Sequence, residues 1–279
     1  METLVVRPGL RRLKGDGLRT AALVVIALLV LAALLAPLIA PADPDAVDLS
    51  AALAGPGGDH PLGADASGRD LLSRVIYGAR TGLLGPLGVV AISTLLGVVV
   101  GLTAAWHGGW VDAALSRSME LIFAFPGLLL AILVVAMYGP GQTGPMITLA
   151  VAYTPFVGRL VRGVARAELG RPYLAAYRAL GFGGLAVCLR HLLPNIAPVI
   201  LAQSTINFGY ALLDLAGLAF LGLGVQPPAA DWGAMINEGQ TAVLQGALGP
   251  ILVPGLAIVI SVIAFNIVGE SLADRVSRR

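Results

Sequence analysis

The sequence predicts an all-α polytopic membrane protein with about six transmembrane helices, and three observations carry that prediction. Of 279 residues, 57% are hydrophobic and only 12% are charged, and the mean hydropathy is +0.86. A soluble domain carries about a quarter charged residues, so much of this exterior must face lipid. The apolar residues also gather in runs near the roughly 20 that a helix needs to cross a bilayer core of about 30 Å. Finally, the basic residues, 17 Arg and one Lys, concentrate in alternate segments between those runs.

Residues 1–20 form a basic tail, and residues 21–40 form a first span free of charge. Ala40-Pro41-Ala42 has the look of a small-residue cleavage site. The run before it exceeds the 7–15 residues of a signal h-region, so an uncleaved anchor is expected. Residues 41–80 form a polar segment, and a second span covers Thr81–Trp106. The charge-free stretch Leu121–Gly158 is broken at Gly139-Pro140-Gly141. That gives a third span at Leu121–Tyr138 and a fourth from Met146, whose uncharged part stops at Gly158. Arg159 must then snorkel or face protein if the helix runs on. The fifth span is placed at Pro198–Leu223 and the sixth at Leu248–Val268, within a core of residues 81–269 that precedes a tail of residues 270–279.

Charge orients these spans. Arg7, Arg11, Arg12, Lys14 and Arg19 precede the first, and Arg275, Arg278 and Arg279 follow the last. Segment 159–197 holds Arg159, Arg162, Arg166, Arg171, Arg178 and Arg190 against Glu168. The 41–80 segment is rich in Asp instead. Positive segments stay in the cytoplasm, so both termini and 159–197 are expected inside.

Composition excludes several chemistries. A net charge of +2 suggests no nucleic-acid partner. One cysteine, Cys188, rules out an intrachain disulfide and a Cys-ligated metal site. His60, His107 and His191 are scattered, so no metal site is expected. No P-loop, GxSxG or HExxH is present. The chain is expected not to be an enzyme and to hold no cofactor.

Segment 159–197 carries a short helix framed by Pro172 and Gly181, proline just inside the start and glycine past the end. On it, Tyr173, Tyr177 and Leu180 form one stripe, with Ala175, Arg178 and Ala179 on the other side. A helix this short needs a partner surface. From Tyr173-Leu174-Ala175-Ala176-Tyr177-Arg178-Ala179-Leu180-Gly181 to His191-Leu192-Leu193-Pro194-Asn195, the segment resembles the cytoplasmic signature of ABC-importer permeases. Gly181, Leu193 and Pro194 match at the family spacing, while Ala175 and Tyr177 replace the family's Glu and second Ala. Similar matches include His60-Pro61-Leu62-Gly63-Ala64-Asp65, Gly68-Arg69-Asp70, Phe125-Pro126-Gly127 and Phe220-Leu221-Gly222-Leu223-Gly224-Val225-Gln226-Pro227-Pro228. In order and at the expected separations, they resemble the second, C-type permease of the dipeptide, oligopeptide and nickel importers.

That resemblance implies a type I ABC-importer permease fold in a bacterial plasma membrane. It implies a heterodimer with a second permease, two ATP-binding subunits and an extracytoplasmic substrate-binding protein. Tyr173, Ala175, Ala176, Tyr177, Arg178, Gly181, Leu193 and Pro194 would then couple to the ATPase. Peptide is the preferred substrate, with nickel, glutathione or another small solute as the alternative. Asp214, the acid well inside a span, shares its helix with Gln203, Asn207 and Tyr210 as a possible translocation path. In the runner-up class, a proton-driven secondary transporter, it would be the coupling acid, although no inverted repeat supports that class. The structural alternative is an acid hydrogen-bonded to a neighbouring helix or the partner permease.

Overall fold

A computed structural model describes residues 8–277. Arg7, Arg278 and Arg279 lie outside the described residues, as do the side chains of Arg11, Arg12, Lys14 and Arg178. In chain order the helices are α1 (Pro8–Ile39), α2 (Leu71–His107), α3 (Gly109–Phe123), α4 (Gly127–Tyr138), α5 (Thr143–Leu169) and α6 (Pro172–Ala179). They continue as α7 (Gly184–Val187), α8 (Leu193–Phe220), α9 (Trp232–Glu238), α10 (Gln240–Val243) and α11 (Gly249–Ser277). A π turn, Cys188–Leu192, joins α7 to α8. Isolated bridges are the only β pairing among the described residues.

Five stretches are long and apolar enough to cross a membrane: Gly17–Ile39, α2, α5, Gly184–Phe220 and Gly249–Arg275. The expected third span is corrected, because Leu121–Tyr138 is not one helix. Helices α3 and α4 meet at a 72° bend. Pro126 disfavours helical backbone in the residue before it and supplies no N–H, so the chain turns there. Twelve residues of α4 rise only about 18 Å, so a sixth crossing requires the bent pair together.

The other helices outrun their apolar stretches. Helix α2 begins at Leu71 rather than Thr81, so residues 71–80 are its first turns rather than part of the polar segment. Helix α5 continues past Gly158 to Leu169, and α8 starts at Leu193 rather than Pro198. Protein contacts make the α5 extension tolerable. Arg162 and Arg166 both pair with Asp112 of α3, and the Arg159 guanidinium lies 4.0 Å from the centre of the Phe123 ring.

The scaffold centres on α2, which packs most extensively against α5. Small residues allow that approach: a Cβ on Gly97 or Gly101 would meet Val157, Gly158 or Val161. The glycines of α2 are therefore packing residues. Helix α1 lies against α2 and α11 and leaves Leu28, Leu34 and Leu38 exposed, as a lipid-facing helix would. Its Pro37 cannot donate to the Ala33 carbonyl, and Arg80 Nε of α2 supplies that bond instead, at 2.7 Å.

At the end opposite α6, residues 60–70 fold into a tight cap on α2. Asp70 is the N-cap, accepting from Ser73 N at 2.7 Å and facing His60 Nδ1 at 3.2 Å. Gly68 sits at φ +75°, and a Cβ there would run into the Asp48 carbonyl. Four charges close the cap onto α9. Arg69 reaches Asp65 at 2.7 Å and Glu238 at 2.6 Å, while Arg74, fully buried, reaches Glu238 at 3.0 Å and Asp65 at 3.6 Å. Trp232 of α9 packs over Gly78 and Gly82 and donates from Nε1 to the Val75 carbonyl at 3.0 Å.

Candidate functional site

The short helix α6 forms as expected, ending at Ala179 before Gly181 at φ +81°. Leu174 is its anchor. It is fully buried in a cluster with Val161, Ala165, Val187, Leu192 and Ile196, and Tyr173, Tyr177 and Leu193 pack around it. Tyr173 donates to Glu168 Oε1 of α5 at 2.8 Å and accepts from Asn195 Nδ2 of α8 at 2.6 Å. Burial and then the Glu168 carboxylate push its phenol above the ordinary value. Tyr177 stacks on His191 with centroids 3.8 Å apart. His191 thus serves as a flat packing surface for that ring.

One part of the predicted stripe is corrected. Leu180 does not share the face of Tyr173 and Tyr177 and is 74% exposed, because the helix has ended and the chain turns toward Gly181. Ala175, Ala176 and Ala179 are exposed, and so is Pro194. The first three, with Leu180 and Leu185, leave a small apolar surface on the outside of the bundle. Helix α6 is therefore packed onto its own bundle by one face and leaves the other exposed.

The four predicted path residues come together. Gln203, Asn207, Tyr210 and Asp214 all line one open-sided cavity of about 570 Å³. Their spacing of four, three and four residues is one stripe of α8. Sequence reading missed the facing wall: Phe123 of α3, Phe125 and Pro126 at the bend, and Tyr153 and Phe156 of α5. The Phe125-Pro126-Gly127 motif was a usable signal, since it is the break that turns these rings toward α8. Tyr153 donates to Asp214 Oδ2 at 2.9 Å. Asp214 thus has both of its anticipated settings, a cavity and a hydrogen bond to a neighbouring helix.

A bundle of apolar helices, a clamped helix with an outward face and a half-open cavity define a membrane permease that works with partners. The comparisons say which kind. The chain matches the family model described as the binding-protein-dependent transport system inner membrane component over residues 97–279. It also matches the N-terminal TM domain of oligopeptide transport permease C over residues 8–56. It belongs to this family of ABC importer permeases, in the C-type dipeptide, oligopeptide and nickel branch.

Among its relatives is the dipeptide transport system permease protein of Alkalihalophilus pseudofirmus, 35% identical over 96% of this chain and 88% of that protein. The di/tripeptide permease of Pseudomonas aeruginosa is 40% identical over 88% and 83%. The nickel transport system permease of Escherichia coli is 37% identical over 91% of both. The fold is similar to that in an inward-facing crystal form of the MetNI methionine ABC transporter. There the TM-score is 0.59 at 18% identity, covering 74% of this chain and 97% of that one.

Proposed function

We propose that this chain forms half of a transmembrane path for di- or oligopeptides and couples it to ATP hydrolysis on a separate subunit. A second, similar permease closes the open side of the α8 cavity as a heterodimer partner. Two ATP-binding subunits dock below, one on the α6 of each permease, and a substrate-binding protein delivers cargo to the opposite end. Both termini and segment 159–197 are cytoplasmic on this reading, which rests on the distribution of arginine. ATP-driven closure of the ATPases pushes α6, and the clamp through Leu174, Tyr173 and Tyr177 carries that push into α5 and α8.

The observation that carries the reading is the two-faced setting of α6, with Leu174 fully buried in the base of its own bundle and Ala175 and Ala176 turned outward. Alanine at 175 removes a charge from the docking face, so contact there is by shape and apolar area. Nickel remains the second reading of substrate, since a nickel permease is among the relatives. The aromatic wall of the cavity favours peptide.

Gly181→Val tests the coupling role. A β-branched residue in the left-handed region costs about 1–2 kcal/mol, enough to lower coupled rates by about tenfold. Peptide uptake and the ATPase activity stimulated by the loaded binding protein should both fall in reconstituted vesicles, while membrane insertion persists. Unchanged uptake removes α6 as the lever. The isolated chain, purified without partners, should neither bind nor hydrolyse ATP, which equilibrium binding of a fluorescent ATP analogue checks.

A further inference from the structure

We infer that the α8 cavity is a two-ended recognition site, in which Asp214 takes the ammonium group of a short zwitterionic substrate and Asn207 takes its acceptor end. The inference rests on the peptide reading above and names the residues that would select such a cargo.

Asp214 lines the cavity, and Tyr153 fills one of the several acceptor positions of its carboxylate. Among the described residues no basic group pairs with it, although every other buried acid outside the helix caps has an arginine partner. The basic residue beside the cavity, Arg159, is engaged elsewhere. It lies over the Phe123 ring at 4.0 Å and donates to the Pro155 carbonyl at 3.3 Å. Tyr153 stands against the acid, and the cavity lining also includes the rings of Phe156, Tyr210, Phe123 and Phe125. One carboxylate among aromatic rings is the chemistry that selects an ammonium ion.

The second end is independent of the first. Asn207 also lines the cavity and is 4% exposed. Its Oδ1 accepts from Gln203 Nε2 at 2.9 Å, but its Nδ2 is buried without a hydrogen-bond partner. Buried donors are rarely left open in a finished site, so an acceptor from a ligand is the missing group.

Asp214 and Asn207 are two turns apart on one face of α8, a rise of about 10 Å. An extended chain of two or three residues spans at most about 7–11 Å. Because Asp214 pairs with Tyr153, while Val161 and Val157 farther along α5 share a buried cluster with Ile200 and Ile196 farther back on α8, α5 and α8 run antiparallel. Arg159 is therefore displaced from Asp214 in the same direction as Asn207. The cavity has an acidic pole at one end and the open Asn207 amide toward the other, which matches a free peptide and not a bare cation.

The test uses the complete transporter in proteoliposomes with its binding protein in excess. The probes are radiolabelled Ala-Ala and, separately, Ni²⁺. Losing a charge-assisted hydrogen bond should lower Ala-Ala uptake by about tenfold or more in Asp214→Asn. Asp214→Glu should restore most of it, and Asn207→Leu should lower it by about threefold to tenfold. Co-purification of all subunits and the thermal unfolding temperature of the detergent-solubilised transporter should match wild type in all three, which a defect in folding or assembly would not allow. Wild-type Ala-Ala uptake that Asp214→Asn leaves unchanged overturns the two-ended site alone. An equal loss in Asp214→Asn and Asp214→Glu, with subunit assembly or the unfolding temperature also lowered, assigns Asp214 a structural role and overturns it too. Wild-type uptake of Ni²⁺ with none of Ala-Ala overturns the peptide reading and this site together.

Discussion

Glu238→Ala is expected to destabilise the protein by about 3–5 kcal/mol, the cost of stranding a buried charge by removing its partner. Asp65, Arg69, Arg74 and Glu238 form a balanced set of two acids and two bases. Arg74 has no solvent access, and Arg69 is 7% exposed. Without Glu238, both guanidiniums must share Asp65, and one positive charge stays buried without compensation. The cap on α2 and its seat on α9 should loosen together, since the network is what joins them. Adding Arg74→Met restores the balance and replaces a buried charge with an apolar chain of similar length. The double variant should therefore be more stable than Glu238→Ala alone, a coupling that a double-mutant cycle isolates. Thermal unfolding of the detergent-solubilised transporter reads both. If the single and double variants unfold at the same temperature, charge balance does not hold this end of the bundle.

Gly101→Leu should be at least as damaging, for a steric reason. A Cβ at Gly101 would meet the Gly158 carbonyl, the Val161 side chain and the Arg162 amide. Two of these are backbone atoms that cannot rotate away, so the α2–α5 seam must open along its length. Overpacking a tight core costs about 1–3 kcal/mol even where side chains can yield, and here they cannot. The chain should fail to accumulate in membranes, as quantitative immunoblotting would show. Gly163→Leu is the control. Nothing lies within 4 Å of a Cβ there, so membrane levels should match wild type.

Much of the architecture was legible in the sequence because lipid imposes a coarse and strict rule. A charge-free run of 20 residues has few alternatives to a membrane helix, so five of the six expected apolar helices followed from hydropathy. Helix ends did not follow. Hydropathy marks where apolar residues stop, whereas α5 and α8 stop where backbone bonding and partner contacts stop. Arg162 and Arg166 remain helical because Asp112 of α3 neutralises them, and Asp112 is distant in sequence. The third span failed for a local reason. Pro126 and Gly127 sat inside an apolar run where composition outweighed their effect on the backbone.

The site divides in the same way. Pro172 and Gly181 framed α6 through local backbone chemistry, and Gly181 does take the positive φ that a helix-ending glycine favours. The outer end of the stripe failed because Leu180 lies beyond the last helical residue. At the cavity, Gln203, Asn207, Tyr210 and Asp214 were visible as polar residues on one helix. Their aromatic counterparts on α3, the bend and α5 were not, since no pattern within one segment says which ring will face another.

The sequence by itself determined that this chain lives in lipid, crosses it about six times and presents a Pro172–Gly181 helix outside the apolar core. Those properties depend on solvation and on backbone conformation over a few residues. Only the tertiary structure decided that Leu121–Tyr138 is broken by a 72° bend, that four charges seal the far end and that Asp214 faces a cavity without a cation beside it. Each of these is a contact between segments far apart along the chain, and it exists only once close packing has chosen which faces meet.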